Sequence, residues 1–162
     1  MTDLLFVYGT LRAACRSAMG CEQRLILARE SRLIGPGWVR GRLFDLGEYP
    51  GLVLAPDHAS TDLTSAHRAG AQGAEADARD HVFGDIVALN NPADSLVWLD
   101  AYEGIGLGGT VTGGLDEYQR SVVPVMQQSL RDKAQPCRAW VYCLTHIPPD
   151  AQFLPGGRWV IG

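Results

Sequence analysis

The chain has 162 residues, a length that one hydrophobic core can serve. Hydrophobic residues make up 46% and charged residues 20% of it, which excludes a disordered chain and predicts a globular unit that folds by itself. The net charge of −4 comes without a Lys/Arg cluster, and neutralising many phosphates needs a basic face, so nucleic acid is excluded as a partner.

The start, Met1-Thr2-Asp3-Leu4-Leu5-Phe6-Val7-Tyr8, has no basic segment ahead of a long apolar one, and nowhere do about eighteen apolar residues run together. A cytoplasmic protein without membrane association is expected. Leu4 to Val7 is a short apolar run of β type that stops at Gly9, so it predicts a buried strand feeding the loop Tyr8-Gly9-Thr10-Leu11-Arg12. Residues 13–30 are rich in Ala, Leu and Arg and predict one or two helical turns, interrupted at Gly20. Trp38 to Leu46 alternates roughly between apolar and polar, and Tyr49-Pro50-Gly51 turns the chain into Leu52-Val53-Leu54, which predicts a hairpin-like pair of strands.

Residues 57–80 lack aromatic and periodic apolar positions, and read as an excursion outside the core. His81 to Leu89 resumes β-type composition. Asn91-Pro92-Ala93-Asp94 then supplies a helix start, with an Asn cap, Pro at the first helical position and an acid in the first turn. The predicted helix covers 92–103 and ends at Gly104. Gly106 to Gly114 reads as a glycine-rich connector or flap, and further strands are expected at Tyr118 to Val125 and Arg138 to Leu144. With five to seven strands and one clear helical crossover, the expectation is a single α+β domain over 1–162. Its mixed, mainly antiparallel sheet curls into a barrel with flanking helices.

Cys15 and Cys21, like Cys137 and Cys143, are spaced too widely for the usual zinc pairs and predict free thiols, the second pair on one strand face. His58, His67 and His81 match no ligand spacing and are expected to be solvated. Trp38, Trp98, Trp140 and Trp159 are assigned to packing.

Leu96 and Leu99 precede Glu103 by seven and four residues, which at 3.6 residues per turn puts all three on one helix face. Glu103 either points to the apolar side or swings out at the frayed helix end. In the first arrangement, burial and the negative end of the helix dipole both raise its pKa, which suits a residue that takes and returns a proton. At Tyr8-Gly9-Thr10 the glycine turn either forms an ordinary bend or frees backbone N–H groups as an anion site, with the Thr10 hydroxyl as a further donor. Arg12 suits either a bidentate contact to a substrate carboxylate or a place on the surface.

Taken together, Val7-Tyr8-Gly9-Thr10-Leu11-Arg12, Gly41-Arg42-Leu43-Phe44-Asp45-Leu46-Gly47, Tyr49-Pro50-Gly51 and Leu99-Asp100-Ala101-Tyr102-Glu103-Gly104 resemble the γ-glutamylcyclotransferase-like, or AIG2-like, family. The likeness continues through Tyr118 to Val125 and Ala139-Trp140-Val141-Tyr142. It implies a compact mixed β-barrel, a pocket at one barrel end, a substrate cradle at Tyr8, Gly9, Thr10 and Leu11, a catalytic glutamate at Glu103 and a pocket tyrosine at Tyr118. The implied reaction closes a γ-glutamyl amide, glutathione being one such compound, to 5-oxoproline and releases an amine or amino acid, with a small-molecule substrate and no metal or cofactor. A non-catalytic domain that binds a small carboxylate or a partner's side chain is the alternative. Residues 57–80 and the glycine-rich stretch 106–114 depart from compact members of the family and bear on substrate access.

Overall fold

The computed structural model describes residues 2–55, 80–105, 118–128 and 135–159. The elements in chain order are β1 (Leu4–Val7), α1 (Cys21–Glu30), β2 (Ser31–Asp45), β3 (Pro50–Leu54), β4 (His81–Leu89), α2 (Pro92–Tyr102), β5 (Tyr118–Gln127), β6 (Gln135–Leu144) and β7 (Gln152–Leu154). The expected excursion 57–80, apart from Asp80, and the connector 106–114 lie outside the described residues.

The strands form a closed mixed barrel. β2, β4, β1, β6 and β5 are hydrogen-bonded in that order, and β5 returns to β2 with Gly37 opposite Gln127 and Trp38 opposite Met126. The parallel pairing is β1 with β6, at Leu5 and Trp140; the other described ladders are antiparallel. β2 does two jobs along its 15 residues, pairing β4 with its first part and β3 and β7 with its last.

Strand periodicity sorts the side chains into two cores. Phe6, Val39, Leu43, Val82, Ile86, Val125, Ala139, Val141 and Cys143 fill the barrel interior, with Tyr8 at one end. Leu5, Val7, Val87, Leu89 and Tyr142 point outward and are covered by Leu27 of α1 and by Leu96 and Leu99 of α2. Both faces of the central strands are therefore buried, which explains the nearly continuous apolar runs in β1 and β4. Cys137 and Cys143 share the inward face of β6, and all four cysteines are free thiols.

Three sequence expectations change. β2 begins at Ser31 rather than Trp38, because Gly35-Pro36-Gly37 is part of the strand and not a break. The register shifts between Leu33 and Gly35, and Gly37 lies where the barrel closes. A Cβ on Gly37 would come within 2.7 Å of Ile86 Cδ1 and 2.9 Å of the Met126 carbonyl oxygen, so glycine lets the closing strand approach. α1 begins directly after Gly20 instead of being interrupted by it. Asn91 occupies the N-cap of α2, yet its side-chain amide donates to Asp94 Oδ2 at 2.6 Å and caps no backbone N–H.

The His81 ring tilts against that of Trp38, with ring centroids 4.1 Å apart, and meets Phe83 edge-on; His58 and His67 lie outside the described residues. No described helix is long and apolar enough to cross a membrane.

Gly37→Ala should force apart the β2–β5 seam and destabilise the protein by about 1–3 kcal/mol, as overpacking of a tight site does. A urea titration checks this; an unchanged midpoint would show that the seam does not depend on glycine.

Candidate functional site

One end of the barrel opens into a cavity of about 300 Å³. Among the described residues its walls come from Phe6 to Leu11 at the end of β1, Tyr49 and Pro50 in the turn before β3, Tyr102 to Gly104 at the end of α2, Tyr118 on β5 and Tyr142 on β6. Met19 completes it. Tyr8, Gly9, Thr10, Leu11, Glu103 and Tyr118, the residues singled out from the sequence, are thus brought together around a single space.

The β1 loop bends sharply, with the Arg12 N–H donating to the Gly9 carbonyl at 3.1 Å. Among the described residues, the N–H groups of Gly9, Thr10 and Leu11 make no backbone hydrogen bond. Thr10 is buried, and its hydroxyl lies 2.9 Å from the Tyr102 hydroxyl.

Glu103 sits just past α2 as its C-cap, with φ −83° and ψ 0°, and its N–H donates to the Leu99 carbonyl at 2.9 Å. The helix therefore ends at Tyr102, one residue earlier than expected. Gly104 follows at φ 79°, a left-handed conformation that stops the helix. The shared face of Leu96 and Leu99 is buried, and Glu103 continues it as a half-buried side chain on the cavity wall.

All five tyrosines of the chain line the cavity. Their hydroxyls and rings are tied into the surrounding wall. Tyr8 donates to the Tyr142 carbonyl at 2.6 Å and accepts from the Leu52 N–H at 3.3 Å. Tyr118 donates to the Pro50 carbonyl at 2.8 Å. Tyr142 donates to Asp100 Oδ1 at 2.7 Å, and Tyr102 meets Thr10. The Tyr49 ring tilts against that of Tyr118, with centroids 6.3 Å apart.

Asp100 is the junction of this wall. It takes the Tyr142 hydroxyl on one side and Arg120 Nη1 on the other, 2.8 Å from each carboxylate oxygen. Arg120 in turn lies over the Trp140 ring, 4.7 Å from its centroid. Burial, and then the hydrogen bond to the Asp100 carboxylate, push the Tyr142 phenol far above its ordinary value. Tyr102 is raised as well, chiefly by burial. Both stay protonated at neutral pH.

Arg12 does not line the cavity. Its Nε and Nη2 reach the two carboxylate oxygens of Asp85 at 3.1 and 3.3 Å, so the bidentate partner its geometry suits is a neighbouring strand residue. Sequence reasoning missed Asp100, Tyr142, Tyr102 and Met19. Asp100 carried a usable signal, since it precedes Glu103 by three residues and so shares its side of the helix.

The model of the family described as "Gamma-glutamyl cyclotransferase, AIG2-like" matches residues 5–160. The chain belongs to this family. Solved structures similar to this family member include an AIG2-like protein from Mus musculus, with a TM-score of 0.55 and 17% identity over 91% of this chain and 80% of that one. The ytfP protein from Escherichia coli gives 0.53 and 20%, over 97% and 96%. YkqA from Bacillus subtilis gives 0.54 and 18%; the match covers 98% of this chain but spans only 40% of YkqA. These likenesses establish the fold, an α+β barrel of the family type. No curated protein matches the chain.

The raised Tyr142 pKa has a consequence for stability. The unfolded chain loses this proton near pH ~10, whereas the folded protein keeps it to higher pH, so stability falls as pH rises above that value. In chemical unfolding between pH 8 and 11, Tyr142→Phe should show a shallower alkaline loss than the wild type. Parallel curves would place the alkaline sensitivity elsewhere.

Proposed function

We propose that this family member catalyses the cyclisation of a γ-glutamyl amide to 5-oxoproline, with Glu103 moving the proton. The observation that carries the reading is the meeting of Glu103 and the Tyr8–Leu11 turn across one small cavity walled by tyrosine rings.

The substrate's α-amine attacks its own γ-carbonyl carbon. A C–N bond closes the five-membered lactam, and the bond to the departing amine breaks. The α-amine must be neutral to attack, yet such groups hold a proton up to a pKa of ~7.7–8.0, so a carboxylate beside it assists by removing that proton. Glu103 takes the proton and returns it to the departing nitrogen, leaving the carboxylate as it began. Among the described residues it is the only acidic side chain lining the cavity, which supports its assignment to both transfers.

The backbone N–H groups of Gly9, Thr10 and Leu11, with no backbone partner among the described residues, suit the substrate carboxylate or the developing oxyanion. Tyr8 and Tyr118 act as walls whose hydroxyls are held by the protein, so their rings orient the glutamyl chain. Folding the substrate into its cyclising shape is itself a large part of the acceleration, since well-oriented intramolecular reactions reach effective molarities of ~10⁵ M and above. The acting unit is a single domain spanning 1–162, working on a small molecule without metal or cofactor in the cytoplasm.

The test is release of 5-oxoproline from γ-glutamyl dipeptides, γ-glutamyl amines and glutathione. Glu103→Gln should lower turnover by ~10²–10⁴-fold while the fold and ligand binding are kept. Undiminished turnover in that variant overturns the role of Glu103. Saturable binding by the wild type without any 5-oxoproline would mean a binding domain instead.

A further inference from the structure

Among the ten residues of α1 only Leu27 is fully buried, so packing alone gives a weak account of why it lies where it does. Its contacts with the β1 loop give a better one. Arg24 Nη1 donates to the Thr10 carbonyl at 2.6 Å and to the Met19 carbonyl at 3.0 Å, and Nη2 donates to the Ser17 carbonyl at 2.5 Å. Thr10 and Met19 line the cavity, whereas Arg24 stands behind them.

The helix start is fitted closely to the same place. Gly20 has φ 74°, and a Cβ there would lie 2.6 Å from the Tyr102 hydroxyl and 3.2 Å from the Thr10 side chain. A glycine thus lets the first turn of α1 sit directly on the Thr10–Tyr102 pair, which puts Arg24 within reach of the loop.

The geometry points to Arg24 as a positioning residue for carboxylate binding at the β1 turn. The peptide bonds of the described residues are trans, so the carbonyl of Thr10 and the N–H of Leu11 lie in one plane and point in opposite directions within it. With the carbonyl held by Arg24 on the outside, the Leu11 N–H is turned toward the cavity. A guanidinium on the carbonyl also polarises the peptide and strengthens its N–H as a donor, because hydrogen bonds in series reinforce one another. Arg24 therefore acts on a bound anion through the peptide, without touching it. This rests on reading the turn as the carboxylate cradle, as proposed above.

The test measures 5-oxoproline binding to the intact protein by calorimetry, alongside turnover of the γ-glutamyl panel. Arg24→Ala should weaken 5-oxoproline binding and raise KM by ~10-fold or more, a loss of about 1.4 kcal/mol, with kcat within a few-fold of wild type. Arg24→Lys keeps the charge but not the planar fork that meets several carbonyls, and should fall between the two. Millimolar guanidinium ion added to Arg24→Ala should restore part of the affinity, a rescue that a purely structural role would not give.

Unchanged Kd and KM in folded Arg24→Ala overturn the inference, and so does a loss confined to kcat. Should the alanine variant fail to fold, Arg24→Lys with wild-type affinity overturns it equally. Arg24-dependent binding in a protein that releases no 5-oxoproline would sink the cyclisation reading and leave the positioning role standing. Turnover with Arg24-independent binding would do the reverse, and a wild type that neither binds nor turns over loses both.

Discussion

The carboxylate of Asp100 ties the end of α2 to the barrel wall, and the geometry of the cavity depends on that tie. One turn of helix separates it from Glu103, so whatever fixes Asp100 fixes the approach of Glu103. Its two partners, Tyr142 on β6 and Arg120 on β5, belong to adjacent antiparallel strands. The same Tyr142 receives the Tyr8 hydroxyl on its carbonyl. Both halves of the proposed site, the β1 turn and the helix end, are consequently referenced to one residue of β6. The Asp100–Arg120 side chains are about a quarter exposed, at 27% and 26%, so the attraction between the charges is partly screened by water. The greater penalty would come from removing one partner, which strands the polar atoms of the others.

The tyrosine wall is the second consequence. Aromatic rings give water little to bond to, so a charge placed against such a wall interacts more strongly than one in bulk solvent. Free phenol hydroxyls would undo this by hydrating the space. Here Tyr8, Tyr118 and Tyr142 send their hydroxyls into the protein framework, and Tyr102 shares its hydroxyl with Thr10. What the wall offers a ligand is ring surface, interrupted by Glu103 and by the amides of the first turn.

The elements legible in the sequence were those whose local pattern and tertiary setting agree. β4 runs from His81 to Leu89 as its composition suggests, because both of its faces are covered. α2 carries Pro at its start, buried leucines on one face and glycine after its end, and each signal operates in the fold. The β1 turn and Glu103 stood out through a family resemblance as well as through chemistry. The first part of β2 was not legible, since Gly35-Pro36-Gly37 reads locally as punctuation and only barrel closure explains why glycine is needed there. β7 escaped because three residues against the end of β2 leave no periodicity to detect. Asp100 and Tyr142 escaped for another reason: each is an ordinary residue in its own segment, and their importance arises only where α2 crosses β6.

Several contacts that shape the cavity end on main-chain carbonyls rather than on partner side chains. Tyr8 ends on Tyr142, Tyr118 on Pro50, and Arg24 on Thr10, Ser17 and Met19. A carbonyl is present whatever residue carries it, so such a wall depends on the path of the backbone more than on the identity of the accepting residue. The Thr10–Tyr102 hydroxyl pair and Asp100 are exceptions, and the role of Asp100 needs a charged side chain that accepts from two directions at once. A barrel held in this way can lose most of its sequence likeness and still keep its fold. That fits a fold shared with solved structures at 17 to 20% identity. It also locates sensitivity to substitution at the few side chains that donate, and at the glycines over which the backbones pass.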